Sequence, residues 1–334
     1  MFNSFVIFFI LLSGFTNAFT QGNSVDTSKS PHVVWIKQFP DNSLKNNNVN
    51  FSKKISNVIL GKNDELTLSK PISLITIGVD SIIVLDQGNS QIFEITKKII
   101  PIKLSNKKNY IKYESLIGIC KNKTNHIYYT DSKLNKVFDY DSNNKIIRIL
   151  NDTLVLNQPT GIAYSNIDKN IWIVETAAHR LTVLNEQGKI IKHIGERGNG
   201  NAEFNFPTNI CIDDDGNVYV VDAMNFRVQI FDKDGEFLST FGTVGDASGY
   251  FARPKGIALD TFGNIYISDA LFHGVQVFDK KGDFLYRFGE QGHENSQFWM
   301  PSGLFIDENN YIYVADSYNS RIQIFKLVNE RKDD

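Results

Sequence analysis

A chain of 334 residues that is 42% hydrophobic and 22% charged, with a net charge of −2, falls outside the disordered, collagenous and coiled-coil compositions. Near-neutrality argues against a nucleic-acid binder, which needs a surplus of cations to neutralise phosphates. With Cys120 and Cys211 as its only cysteines, the chain is not a disulfide-stapled scaffold, so its fold rests on an apolar core.

In chain order, the first element is a targeting segment. Phe5 to Leu12 is apolar and uncharged, and Thr16-Asn17-Ala18 follows with residues suited to cleavage after Ala18. The run is shorter than the roughly 20 residues of a membrane span and reads as the core of a secretory signal, residues 1–18. The mature protein is therefore expected outside the cytoplasm, secreted or periplasmic, with no membrane span. Residues 19–53 read as an N-terminal extension, 54–327 as the repeat domain and 328–334 as a charged tail. Asn50, Asn122 and Asn151 begin Asn-x-Ser/Thr sequons, which matter only in a host that glycosylates them.

The repeat decides the architecture. Units open at Pro71, Leu116, Pro159, Pro207, Pro254 and Pro301, a period of 43–48 residues. Each unit predicts four short strands. In the fourth unit these centre on NICID, VYVVD, RVQIFD and FLSTFG. Asp215-Gly216-Asn217 and Asp232-Lys233-Asp234-Gly235 supply turn residues that tolerate positive φ. Short alternating strands at this spacing predict an all-β, six-bladed propeller of four-stranded antiparallel blades, expected to be monomeric. The last unit stops after its third strand, so an N-terminal strand should close it. Spacing favours Lys54–Gly61, with Val33–Phe39 as the alternative. Closure of this kind pairs an otherwise open edge.

The motifs Pro-Lys-Gly-Ile-Ala-Leu-Asp (254–260), Gly-Asn-Ile-Tyr-Ile-Ser-Asp (263–269) and Asn-Phe-Arg-Val-Gln-Ile-Phe (225–231) resemble the NHL repeat. The resemblance spans about residues 54–327 and is weakest in the first two units. It implies a six-bladed propeller.

Repetition separates frame from site. Asp86, Asp131, Glu175, Asp222, Asp269 and Asp316 end the second strand of every unit, and Arg180, Arg227 and Arg321 follow five residues after three of them. A recurrent acid–guanidinium pair suits a bidentate hairpin clamp; a cation-binding ring of acids is the alternative. In the fifth unit Gly274 replaces the Arg, which leaves Asp269 without that partner and beside His273. His179 and His273 share one repeat position, as NHL repeats commonly show. Cys120 and Cys211 fall on innermost strands of non-adjacent blades and should be buried free thiols. Phe204, Phe251 and Phe298 should plug the gaps between blades.

Residues flanking the unit-opening proline vary and should line one mouth of the channel. Arg253, Lys255, Trp299, Met300 and Tyr318 make an aromatic-cationic candidate surface there, because loop residues on a rigid scaffold carry recognition. Asp269 and His273 complete the candidate set, and local packing is the alternative for Trp299 and Met300. The leading reading is a non-enzymatic recognition scaffold for a protein, peptide or glycan. The alternative is a metal-dependent lyase or lactonase-like hydrolase. The chain resembles peptidyl-hydroxyglycine amidating lyases in its repeats, and Tyr318 matches their Ser-Tyr-Asn-Ser-Arg-like segment. Those enzymes hold zinc through a His directly after the opening proline. Here that position holds Ile72, Thr160, Thr208, Lys255 and Ser302, with Ile117 after Leu116, so the zinc pattern is absent. No motif supports zinc or calcium in the channel, although lactonase-type calcium ligands drawn from scattered positions remain open.

Overall fold

The computed structural model describes residues 32–40, 66–78, 81–102, 105–106 and 109–328. The signal segment, Asn50, the segment 54–60 and the residues after Val328 lie outside this set. The main compact unit runs from Val33 to Leu327. No helix among the described residues is long and apolar enough to cross a membrane.

Six four-stranded sheets form the blades. Blade four illustrates the plan, with strands Pro207–Ile212, Val218–Asp222, Arg227–Phe231 and Phe237–Phe241 paired antiparallel in sequence order. The second strands are buried on both faces and read as continuous apolar runs, such as Ile171–Glu175 and Val218–Asp222. The outer strands alternate, as in Phe284–Phe288, because only one face packs inward. Each first strand packs on the first strand of the next blade, and that of blade six packs on that of blade one, which closes the ring.

The apolar core is a set of wedges between neighbouring blades. Trp172, Val174 and Val183 of blade three pack with Ile210, Val220 and Phe231 of blade four, and the junction of blades six and one is built likewise from Val84, Phe93, Ala315 and Ile322. Phe204, Phe251 and Phe298 are fully buried in three successive wedges. Each ring lies against a glycine of positive φ at the end of a fourth strand: Gly195, Gly242 and Gly289. A Cβ at any of these would lie within 2.3–2.4 Å of the ring, which is why Ile-Gly and Phe-Gly recur there.

Hydroxyls on or just after the second strands stitch the ring. Thr130 Oγ1 donates to the Thr160 carbonyl at 2.6 Å, Thr176 Oγ1 to the Pro207 carbonyl at 2.7 Å, and Ser317 Oγ to the Pro71 carbonyl at 2.6 Å. Ser268 Oγ bonds the Ser302 carbonyl in the same way.

The closing strand is His32–Phe39, which pairs with Arg321–Val328 as the outer strand of blade six. Spacing favours Lys54–Gly61, and the structure uses the alternative at Val33–Phe39. The strand is held instead by side chains that spacing does not register. Trp35 Nε1 donates to Gln323 Oε1 at 3.0 Å, and Arg321 Nη1 donates to Gln38 Oε1 at 2.9 Å. Val33 and Trp35 pack on the wedge between blades five and six.

The sequons at Asn122 and Asn151 are buried, and Asn151 Oδ1 accepts the Val137 N–H at 2.8 Å. Neither side chain can carry a glycan in the folded state.

Candidate functional site

The site is built on a backbone irregularity. In blades one to five the ladder between first and second strands slips just after the opening residue. In blade five Pro254 pairs with Asp269, but the next partners are Ile257 and Ile267. Lys255 and Gly256 thus oppose Ser268 alone, a β-bulge that re-aims the residue after the proline. Thr208 takes the equivalent place in blade four. At the third position of blades five and six the neighbouring blade approaches so closely that a side chain is excluded. A Cβ on Gly256 would lie 2.4 Å from the Ser302 carbonyl oxygen, and one on Gly303 would lie 2.5 Å from that of Ile72. The first strands of blades five, six and one therefore run as one tight arc.

The acids of the second strands belong to this frame. All six are fully buried. Asp269 lacks the Arg of its counterparts but not a partner. It accepts the N–H groups of Ala252 at 2.8 Å, Arg253 at 3.0 Å, Leu271 at 3.1 Å and Phe272 at 3.3 Å. Backbone donors do here what a guanidinium does elsewhere, which corrects the expectation that Asp269 is left unpaired. The Arg–acid pairs are not bidentate forks either. Arg227 Nε donates to Asp222 at 2.8 Å, while its Nη atoms bond the carbonyls of Asn199, Gly200 and Glu203. Arg321 does likewise with Asp316 and the 293–297 loop. Each of these arginines ties a blade's inner hairpin to the connection that enters the blade.

His273 is also spoken for. It adopts a left-handed backbone with φ of 51°, and its Nδ1 accepts the Met300 N–H at 3.2 Å. His179 holds the Phe206 N–H at 3.1 Å in the same manner. Met300, itself at φ 55° and half-buried, is the residue that this bond positions.

Near the opening prolines of blades five, six and one the side chains outside this frame include an aromatic pair and three cations. Trp299 and Tyr318 are 41% and 55% exposed, and their rings lie 6.2 Å apart. The Trp299 N–H is anchored on Asp316 Oδ1 at 2.8 Å, and His293 meets the indole edge-on at 5.1 Å. Lys70 Nζ lies 5.7 Å from the Tyr318 ring centroid, a cation–π distance, and 2.9 Å from Gln87 Oε1. Arg253 is exposed and Lys255 half-buried. Burial lowers the Lys255 pKa from its ordinary value, and the positive charges of Arg253 and Lys70 lower it further.

The structure therefore brings Arg253 and Lys255 together, sets Trp299 and Tyr318 side by side, and assigns Asp269, His273 and Met300 to the supporting frame. Sequence reasoning missed Lys70 and His293. Lys70 precedes Pro71 just as Arg253 precedes Pro254, a match obscured by the degeneracy of blade one.

Below the mouth the first strands line a channel cavity of about 270 Å³ of mixed character, with Ile119, Ile162, Ile210 and Ile257 beside Lys121 and Asn209 in its wall. Cys120 and Cys211 also line it and are unpaired. They are half-buried toward this cavity rather than sealed in a wedge, and desolvation pushes both thiols well above their ordinary range. Among the described residues no three His, Cys, Asp or Glu side chains are grouped so as to hold a metal ion.

Comparison with known proteins agrees on the architecture. A family model described as a 6-bladed beta-propeller matches residues 150–228, and the NHL repeat model matches residues 298–325. No curated protein matches the sequence. Among solved structures, the chain is similar to virginiamycin B lyase from Staphylococcus aureus, with a TM-score of 0.58 at 15% identity over 79% of this chain and 99% of that one. It is similar to an auxiliary nutrient binding protein from Bacteroides thetaiotaomicron, with a TM-score of 0.62 at 12% identity over 78% of this chain and 70% of the other. A putative gluconolactonase gives a TM-score of 0.59 at 15% identity over 78% and 89%. At these identities the likeness establishes the fold alone.

Proposed function

From a six-bladed β-propeller carrying an NHL repeat, we propose an extracytoplasmic recognition scaffold that binds a protein, peptide or glycan at its proline-side mouth. One observation carries this reading. Trp299 and Tyr318 are the large exposed aromatics beside the cations of that mouth, while the neighbouring acids and histidines are consumed by the frame. Rigid aromatic rings on an ordered scaffold give contact area at little entropic cost, and Trp, Tyr and Arg dominate binding energetics at interfaces. The bulges and inter-blade clamps hold these side chains in place before a ligand arrives, which lowers the cost of ordering on binding. The extracytoplasmic location rests on the apolar Phe5–Leu12 run. A nutrient binding protein among the structural neighbours is compatible with the binding role.

The test is a peptide display library and a glycan array, each probed with the wild-type chain and with Trp299→Ala and Arg253→Ala. The reading expects ligands whose binding weakens about tenfold or more in these variants. Ligands unaffected by both substitutions would place recognition elsewhere, and an absence of ligands in both formats would end the proposal.

A further inference from the structure

Most half-buried or buried cations of the propeller are matched by an acceptor. Arg180, Arg227 and Arg321 meet the second-strand acids. Lys192 Nζ donates to the Asp234 carbonyl at 2.8 Å, and Lys70 Nζ to Gln87 Oε1 at 2.9 Å. Lys255 differs. Among the described residues its ammonium has no hydrogen-bond or ion-pair partner, and neither has the guanidinium of Arg253. The charged groups that act on Lys255 are Arg253 and Lys70, both of its own sign.

The neighbouring blade carries an unsatisfied group of its own. Thr208 Oγ1 is the one buried side-chain polar atom without a hydrogen-bond partner among the described residues. Thr208 occupies in blade four the bulge position that Lys255 occupies in blade five, and the first strands of these blades pack together. A buried hydroxyl without a partner and a desolvated ammonium among cations are each unfavourable when left alone. An oxyanion at the mouth would supply what Lys255 lacks; Thr208 Oγ1 has no accessible surface from which to reach it.

We propose that the proline-side mouth is an oxyanion site, with Lys255 and Arg253 as its principal charges and Lys70 as a flanking charge. Charge-assisted bonds of this kind are the strong ones in recognition. The Trp299–Tyr318 pair, joined to the cations through Lys70 over the Tyr318 ring, takes an apolar or aromatic portion of the same ligand. The inference rests on the recognition reading and narrows it to ligands bearing a carboxylate, phosphate or sulfate beside an apolar group.

The experiment is titration calorimetry on the full chain at low ionic strength, using inorganic phosphate, phenyl phosphate, phenylacetate and the neutral 2-phenylethanol. The aromatic anions should bind at least about tenfold more tightly than the neutral probe, and phenyl phosphate more tightly than inorganic phosphate. Lys255→Met and Arg253→Gln should each weaken the anions about tenfold and leave 2-phenylethanol unchanged. Lys255→Arg should retain binding, which guards against a folding artefact, and Lys281→Met in an exposed outer hairpin should change nothing. Preference for phenyl phosphate over phenylacetate would assign a dianionic group, preference for phenylacetate a carboxylate, and equal affinity a site that reads a single negative charge; each supports the site. Equal binding of charged and neutral probes, full binding by Lys255→Met, or dissociation constants all above about 10 mM would overturn it. In that event, peptide or glycan ligands still lost in Trp299→Ala would leave the recognition reading standing. Conversely, anion binding lost in Lys255→Met, with peptide or glycan ligands unaffected by both Trp299→Ala and Arg253→Ala, would sink the recognition reading alone.

Discussion

Replacing Asp269 with Ala decides whether this acid is frame or site. Its carboxylate is fully buried and accepts four backbone N–H groups, two from the segment entering blade five and two from the turn after the second strand. Alanine would strand these donors. Hydrogen bonds to a charged group contribute roughly 1.5–3 kcal/mol each, and bonds sharing one acceptor do not add in full. A loss of about 4 kcal/mol is expected. For a cooperative unit of roughly 300 residues the melting entropy is about 0.6 kcal/mol/K, so the melting temperature should fall by about 6–7 °C. Asp269→Asn keeps one acceptor oxygen but points an amide at the other donors, and it should cost about half as much. Calorimetric or circular-dichroism melts of the three proteins provide the comparison. If Asp269→Ala melts within about 1 °C of wild type yet loses ligand, the clamp argument is wrong and the carboxylate belongs to the site.

Lys255→Met should raise the melting temperature at neutral pH, because it removes a desolvated charge repelled by Arg253 and Lys70. The folded-state pKa is lowered, so the penalty is complete below that value and fades as pH rises toward 10.5; melts across this range should show the gap between variant and wild type closing, and a gap that widens would contradict the cause given. Gly303→Ala would put a Cβ 2.5 Å from the Ile72 carbonyl oxygen and 2.8 Å from Ser73 Cα, and forcing blades six and one apart should cost about 2 kcal/mol or more by denaturant titration. Trp35→Ala removes the Gln323 hydrogen bond and packing on blade six, with an expected loss of about 2–3 kcal/mol; an unchanged unfolding midpoint would mean that His32–Phe39 does not close the ring in solution.

Strand count, blade number and the position of the acids were legible in the chain because they repeat. A pattern such as VYVVD at 218–222, recurring as IYISD at 265–269 and IYVAD at 312–316, records the same buried environment several times over. Repetition also marked the second-strand acids as frame, and Asp269 shows where that logic stopped. A missing Arg suggested a free carboxylate, whereas backbone N–H groups, which no residue type announces, complete its bonding. The closing strand shows a related limit, because spacing leaves Val33–Phe39 only as the alternative and the structure pairs His32–Phe39. Spacing to Pro71 pointed to 54–60, but Trp35 and Gln38 find Gln323 and Arg321 nearly the whole chain away. The sequence by itself thus determined the propeller, the variable residues beside the prolines and the aromatic–cationic character of one mouth. Only the tertiary structure decided that Lys70 joins Arg253 and Lys255, that Thr208 Oγ1 is buried without a partner and that His273 is a clamp. Charge and hydrogen-bond satisfaction depend on what a closed ring brings together, and ring closure leaves no local trace in the order of residues.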